Sequence, residues 1–133
     1  MEKIFKILVG LLITFSFSSC DPMKTLVIEN KLDNDIIVEI ELDNCNDYVT
    51  QLLSKKDLKD LKLETGKGEN TKTFFLGFGI WTKKDLNVLK KCTKSIVIKE
   101  TGKQSKKIEG EELNKLIKRK SPFNHTTRIR IKD

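Results

Sequence analysis

The sequence predicts a mainly β domain of the α+β class, built as a small antiparallel β-sandwich with two or three short helices. Several segments alternate apolar and polar side chains with a period of two, which is typical of strands that bury one face. About six such strands are expected, and the first and last are far apart in sequence. Strands must therefore pair over long distances, as they do in two packed sheets.

The first predicted element is a β-hairpin over residues 24–42. Apolar residues alternate on both sides of the sequence NKLDND, residues 30–35, and Asn and Asp favour turns. The segment LLSKKDLKDLKL, residues 52–63, predicts a short helix or a helical turn, because Ser54 and Asp57 form a start that resembles a capping box. The sequence ETGKGEN, residues 64–70, predicts a loop.

The segment TKTFFLGFGIW, residues 71–81, has the most strand-like pattern in the chain. Strict alternation places two sets of residues on opposite faces, namely Phe74, Leu76, Phe78 and Ile80 against Phe75, Gly77, Gly79 and Trp81. Glycines inside a strand mark a bulge or a close approach by another part of the chain. We expect Trp81 to belong to the core.

Four elements are predicted in the C-terminal third of the chain. Thr82 and Asp85 form a cap pattern for a helix over residues 82–92, and residues 94–110 predict a strand, a turn and a short return strand. Residues 110–120 predict a helix with acidic residues first and basic residues last. The last strand, residues 126–132, turns Ile129 and Ile131 inward.

Together these elements favour an immunoglobulin- or transthyretin-like sandwich. Cys45, Trp81 and Cys92 occur in that order, but Trp81 comes too late in the interval for the antibody pattern. The expected domain occupies residues 24–133, which is enough for one compact unit.

The first twenty residues have the three parts of a signal peptide. Lys3 and Lys6 precede an apolar run over residues 7–17, followed by Ser18, Ser19 and Cys20. The run has 11 residues, whereas a transmembrane helix needs about 20. The sequence therefore predicts export rather than a membrane span.

The stretch Phe17-Ser18-Ser19-Cys20 resembles the lipobox of bacterial lipoproteins, with Phe17 where Leu is usual. The architecture resembles that of small Bacteroidetes-type envelope lipoproteins. The resemblance implies that residues 1–19 are cleaved, that Cys20 is acylated, and that residues 20–23 form a short tether. It places the domain on a membrane of the cell envelope, and we expect it to face the periplasm.

Charge is distributed unevenly along the expected mature chain. Residues 20–82 contain 8 basic and 12 acidic residues, while residues 83–133 contain 16 basic and 6 acidic residues. The two halves could partly neutralise each other when packed. A basic interaction face is predicted from Lys118, Arg119, Lys120, Arg128, Arg130 and Lys132, and it would suit an anionic glycan, a lipid headgroup or an acidic envelope protein. An exported protein would not meet nucleic acid, so that partner is not expected.

Cys45 and Cys92 remain once Cys20 is assigned to lipid. Export to an oxidising compartment permits a disulfide between them. The alternative is a pair of buried free thiols. Neither cysteine lies in a C-x-x-C motif, so redox catalysis is not expected.

Residues that could carry chemistry are few. His125 is the one histidine, and no G-x-S-x-G motif accompanies it. The carboxylates Glu109, Glu111 and Glu112 lie at a predicted helix start, where the helix dipole explains them. The cysteine and histidine spacing matches no zinc site, so we expect neither metal nor cofactor, and no enzyme.

The sequence thus predicts a non-catalytic, lipid-anchored interaction domain of the cell envelope. An inhibitor or immunity lipoprotein that blocks a toxin or a cell-wall lytic enzyme is the alternative, with SPFNHTT (residues 121–127) or ETGKGEN as the inserted loop. An enzyme acting on glycans is a third hypothesis and would need two carboxylates converging in a pocket.

Overall fold

The structure is a computed structural model that describes residues 3–7, 21–66, 68–117 and 125–132. Cys20 and the predicted basic residues Lys118, Arg119 and Lys120 lie outside the described residues. Residues 3–7 are helical.

The described part of the domain contains seven strands and three helices. The strands are β1 (Met23–Asn30), β2 (Ile36–Leu42), β3 (Leu61–Leu63), β4 (Thr71–Phe78), β5 (Thr93–Glu100), β6 (Lys106–Glu109) and β7 (Thr126–Ile131). The helices are α1 (Tyr48–Ser54), α2 (Lys83–Cys92) and α3 (Gly110–Leu116). The prediction of a mainly β chain with short helices is confirmed.

The strands form two sheets. One has the order β4-β1-β7 and the other the order β3-β2-β5-β6. Apolar side chains of both sheets join one core, which includes Ile28 of β1, Val38 of β2, Ile96 of β5 and Ile129 of β7. The predicted sandwich is therefore confirmed. One pairing differs from the antiparallel expectation, because β7 runs parallel to β1.

The predicted hairpin over residues 24–42 is wrong. β1 pairs with β4 and β7, whereas β2 pairs with β3 and β5, so the turn between them crosses from one sheet to the other. Ile28 and Val38 still both face the core, but from opposite sides. Period-two alternation identifies the buried face of a strand, and it does not identify the strand's partner.

The short helix or helical turn predicted over residues 52–63 is also misplaced. Helix α1 ends at Ser54, the residue that the prediction uses as the helix start. Its N-cap is Asp47, whose carboxylate accepts a hydrogen bond from the Val49 amide. Residues 61–63 form β3 instead, with Leu61 and Leu63 buried against the core. The region 64–70 is irregular at its described positions, as expected for a loop.

Strand β4 ends at Phe78, and its strict alternation breaks at Gly77. Phe74 and Leu76 are buried as predicted, but Phe78 and Ile80 are exposed. Gly77 has a φ of +96°, and the register of β1 shifts opposite this end of the strand. The resulting irregularity turns Phe78 toward the same side as Phe75, which corrects the predicted faces.

The other C-terminal predictions are confirmed. Helix α2 begins with a capping box between Thr82 and Asp85, and Trp81 is fully buried. β5 and β6 form the predicted strand, turn and return strand. α3 and β7 follow in the predicted places.

The sandwich has two distinct ends. The proximal end is where β1 begins, and Met23 there pairs with Phe78 while Thr25 pairs with Thr126 at the start of β7. Helix α2 joins this end through the Lys24–Asp85 ion pair. The distal end contains the turns over residues 31–35 and 101–105 and the described residues of the region 64–70. The Asn30 side chain donates to the Leu63 carbonyl, the Asn70 side chain donates to the Asn30 carbonyl, and the Asn34 side chain donates to the Glu100 carboxylate.

Candidate interaction surfaces

The predicted basic face lies partly on β7. Arg128 is exposed and Arg130 half-buried, and they alternate with buried Ile129 and Ile131; Lys132 is exposed just after the strand. β7 is at one edge of its sheet, so one side of its backbone has no partner among the described strands. An edge with outward basic residues is a surface on which another chain could pair.

Arg130 is neutralised within the domain. Its Nε lies 3.0 Å from Oε2 of Glu29, and Nζ of Lys31 lies 2.9 Å from Oε1 of the same carboxylate. Burial alone would raise the pKa of Glu29, but the hydrogen bonds from Lys31 and Arg130 outweigh it and hold the pKa below its usual value. Within the described residues, Arg128 and Lys132 are the members of the basic face without an ion pair.

The oppositely charged halves of the chain do meet. Lys94 pairs with Glu41 and Lys99 pairs with Glu39 on β5 and β2, and Arg130 pairs with Glu29 across β7 and β1. Each pair joins a cation of the C-terminal half to a carboxylate of the N-terminal half. Part of the basic excess is therefore neutralised internally, as the sequence allowed.

Cys45 and Cys92 are joined in a disulfide with a Cα–Cα distance of 5.9 Å. The bond ties the segment before α1 to the last residue of α2 at the proximal end. Of the two alternatives left open by the sequence, the structure has the bonded one.

The candidate chemical residues are dispersed over the surface. His125 is exposed, and its carbonyl oxygen accepts the Thr25 amide at 2.8 Å where β7 joins β1. The three glutamates around the start of α3 each pair with a lysine, as Lys107–Glu109, Lys115–Glu111 and Lys106–Glu112. These pairs are solvent-exposed, and such pairs contribute little to stability.

A hollow of about 310 Å³ opens at the distal end on the outer side of the four-stranded sheet. Carboxylates and lysines line it together, including Lys62, Glu64 and Lys99. A hydrogen bond and like charge from Glu69 raise the pKa of Glu64. Among the described residues, every buried side-chain nitrogen or oxygen has a hydrogen-bond partner.

An exposed apolar cluster occupies the proximal end, and we call it the proximal patch. Its members are Met23, Tyr48, Phe75, Phe78 and Ile80, which are 37–67% exposed. The rings of Phe75 and Phe78 meet edge to face, with centroids 5.4 Å apart. No other large apolar side chain is exposed among the described residues between 21 and 132.

The backbone around the patch depends on two glycines. Gly77 lies beneath Tyr48, whose hydroxyl would be 3.3 Å from a Cβ at that position. Gly79 has a φ of +106°, and its amide donates to the Pro22 carbonyl at 2.7 Å. Strict alternation places Phe78 in the core, so sequence reasoning missed the patch. The pair of glycines flanking Phe78 was the signal that could have found it.

Two searches of the described residues found neither a helix long and apolar enough to cross a membrane nor a cluster of three potential metal-binding side chains. Comparison of the chain with protein-family models, with curated proteins and with solved structures finds no match.

Proposed function

We propose that this protein is a non-catalytic, lipid-anchored interaction domain of the bacterial cell envelope, anchored through Cys20 and recognising its partner along β7. The observation that supports partner binding best is the edge position of β7, whose outer face carries exposed Arg128 and is followed by Lys132. Strand addition to such an edge supplies backbone hydrogen bonds, and the basic side chains select an anionic partner.

The short distance between anchor and fold also supports this proposal. β1 begins at Met23, three positions after Cys20. Two acyl chains suffice for stable anchoring, so the domain itself needs no membrane span. A domain tethered this closely meets envelope partners within a thin layer beside the bilayer.

The intact mass of the protein tests the anchor. The full precursor is expressed in a related bacterial host and extracted in detergent, beside a Cys20→Ala variant that cannot be acylated. We expect a mass equal to residues 20–133 plus two or three acyl chains for the natural sequence and no acyl chains for the variant. A natural-sequence protein that carries no acyl chains would contradict the anchor.

Photo-crosslinking in the same host tests the binding edge. A photoreactive amino acid replaces Arg128 on β7 or, as a control, Lys107, another exposed basic residue on the edge strand β6. We expect one discrete conjugate from position 128 and none at that mass from position 107. Equal conjugates from both positions, or none from either, would argue against β7 as the binding edge.

The inhibitor hypothesis is a second candidate, supported by the position of the loop over residues 64–70. The described residues of this loop lie at the distal end, away from Met23, and the Asn70 amide donates to the Gly66 carbonyl. A loop pointing away from the tether is placed to enter the cleft of a soluble enzyme. This function predicts that the crosslinked partner is a toxin or lytic enzyme whose activity falls when the lipoprotein is added.

A further inference from the structure

We propose that the proximal patch is a membrane-contacting surface: Met23, Tyr48, Phe75, Phe78 and Ile80 enter the interfacial layer of the bilayer that holds the acylated Cys20. The proposal rests on the proposed anchor. It adds that the domain sits in a fixed orientation, with the three-stranded sheet's proximal end against lipid and the distal turns facing away.

The length of the tether carries the main argument. Met23 lies three positions after Cys20, and an extended chain spans at most about 3.3–3.6 Å per residue. Met23 therefore lies within about 10 Å of a residue whose acyl chains are in the hydrocarbon. Met23 pairs with Phe78 across β1 and β4, which adds only the spacing of neighbouring strands, about 5 Å, to this limit for Phe78.

The position of Pro22 tightens this geometry. Its carbonyl accepts the Gly79 amide at 2.7 Å, so the described end of the tether is fastened between Phe78 and Ile80. The chain thus leaves the domain through the patch itself. A protein partner covering the patch would have to fit between the domain and the bilayer within that short distance.

The side chains have the chemistry of the membrane interface. Aromatic residues are enriched there, because an apolar ring can enter the acyl boundary while a hydroxyl such as that of Tyr48 stays hydrated. Exposed apolar patches mark protein or membrane contacts, and here the rings of Phe75 and Phe78 meet while Met23 pairs with Phe78. Interfacial side chains reach about 5–10 Å into the boundary, a depth that the tether allows.

Charges around the patch are mixed. Lys83 and Lys84 are exposed in the first turn of α2, shortly after Ile80, while Asp21 is exposed beside Met23. Lys24 is already paired with Asp85 at 3.0 Å. Because neither sign predominates, apolar contact rather than headgroup charge should hold the patch on lipid. We therefore expect contact with phosphatidylcholine as well as with anionic lipid.

Quenching of tryptophan fluorescence by brominated lipid tests the orientation. The acylated full-length product is reconstituted into phosphatidylcholine vesicles with brominated or ordinary acyl chains. Phe78→Trp places a fluorophore in the patch, and Thr101→Trp places the control in the exposed distal turn. Trp81 is fully buried and common to all samples, so the parent protein supplies the background.

After the parent's signal is subtracted, we expect the fluorescence of Trp introduced at position 78 to fall about twofold in brominated vesicles, because interfacial side chains lie about 5–10 Å into the acyl boundary. The control at position 101 should lose no more than the parent. Adding Phe75→Ser to the Phe78→Trp protein should reduce the quenching, because it removes the neighbouring ring.

The intact mass of each sample distinguishes a failure of the proposed anchor from a failure of the proposed membrane contact. An acylated protein whose position 78 is quenched no more than the parent overturns the membrane contact alone. The membrane contact is also overturned if position 78 is not quenched and the protein crosslinks to a second copy of itself, because the patch would then be a contact between two copies. A protein without acyl chains overturns the anchor and this inference together.

Discussion

Glu29 is the carboxylate most deeply placed in the domain's ion pairs. Its side chain is 10% exposed and accepts from Lys31, which directly follows the central strand β1, and from Arg130 on the edge strand β7. Hydrogen bonds between charged partners are stronger than neutral ones when partly removed from water. Glu29 therefore fastens β7, the proposed binding edge, to β1.

Glu29→Gln should lower the free energy of unfolding by about 1–2 kcal/mol at neutral pH, because two charge-assisted hydrogen bonds are weakened. Burial opposes ionisation, but the two cations lower the pKa of Glu29 overall. Its stabilisation is therefore full above the usual carboxyl pKa and is lost as pH falls through the lowered pKa of the folded protein. Denaturant unfolding measured from neutral to acidic pH checks this.

The two proteins should accordingly converge in stability as the solution is acidified. Glu39→Gln is the matched control, since the Glu39 side chain is 33% exposed and pairs with one cation, Lys99, so the pair should contribute less. A difference for Glu29→Gln that persists unchanged into acid would contradict the role of its charge.

Gly77 shows what residue patterns alone cannot decide. The apolar alternation of residues 74–80 is regular in the sequence, and it correctly predicts that Phe74 and Leu76 are buried. One residue with a positive φ is enough to change which face the following side chains occupy. The exposed position of Phe78 therefore depends on a backbone conformation, and hydrophobicity would place it in the core.

At the scale of elements, the N-terminus of α2 is stabilised by a complete capping box. The Thr82 hydroxyl accepts the Asp85 amide at 3.1 Å, and the Asp85 carboxylate accepts the Thr82 amide at 3.0 Å. The same carboxylate receives Lys24 of β1. Burial alone would raise the pKa of Asp85. The hydrogen bonds from Thr82 and Lys24 outweigh burial and lower the pKa overall, so the carboxylate stays ionised.

Thr82→Ala should destabilise the domain by about 1 kcal/mol, the usual contribution of an N-cap side chain. Glu109→Ala is the control, because Glu109 is the N-cap of α3 but makes no side-chain cap bond. Thermal or denaturant unfolding of both variants measures the contrast. Similar losses from the two substitutions would show that the cap bond is not the cause.

A comparison of α2 with α1 and β3 explains which elements could be predicted from the sequence. α2 has its cap, its apolar face and its basic end within ten residues of sequence, so local information was sufficient. α1 has none of the acidic or basic end residues that indicate a helix. β3 has three residues and is defined by its pairing with β2, a long-range contact that local pattern does not contain.

Sheet membership is the other feature that sequence could not supply. β1 and β2 each have one apolar face. The turn between them is compatible both with a hairpin and with a connection from one sheet to the other. The choice is made by β4 and β7, which pair with β1 from more than forty residues away. Likewise, the basic residues of β7 were predicted to point outward, but the neutralising partner of Arg130 was not.

At the scale of the whole molecule, the two ends differ in surface chemistry. The exposed large apolar side chains of described residues 21–132 lie at the proximal end, while the distal turns contain Asp35, Glu64 and Glu69. Such an axis fits a domain that meets a lipid surface at one end and water at the other. The disulfide lies at the proximal end too, where it closes the segment that contains β3, β4 and the whole of α1 and α2.

Removal of this disulfide should affect the stability of the entire domain. Cys45 and Cys92 are separated by 47 positions, and in the chain-entropy model closing such a loop stabilises the fold by about 3–4 kcal/mol. Cys45→Ala combined with Cys92→Ala should lower the free energy of unfolding by about 2–4 kcal/mol. Reductant should lower the stability of the natural sequence toward that of the double variant and leave the double variant unchanged. A natural-sequence protein that neither gains two hydrogens in mass nor loses stability on reduction would show that the two thiols are not bonded.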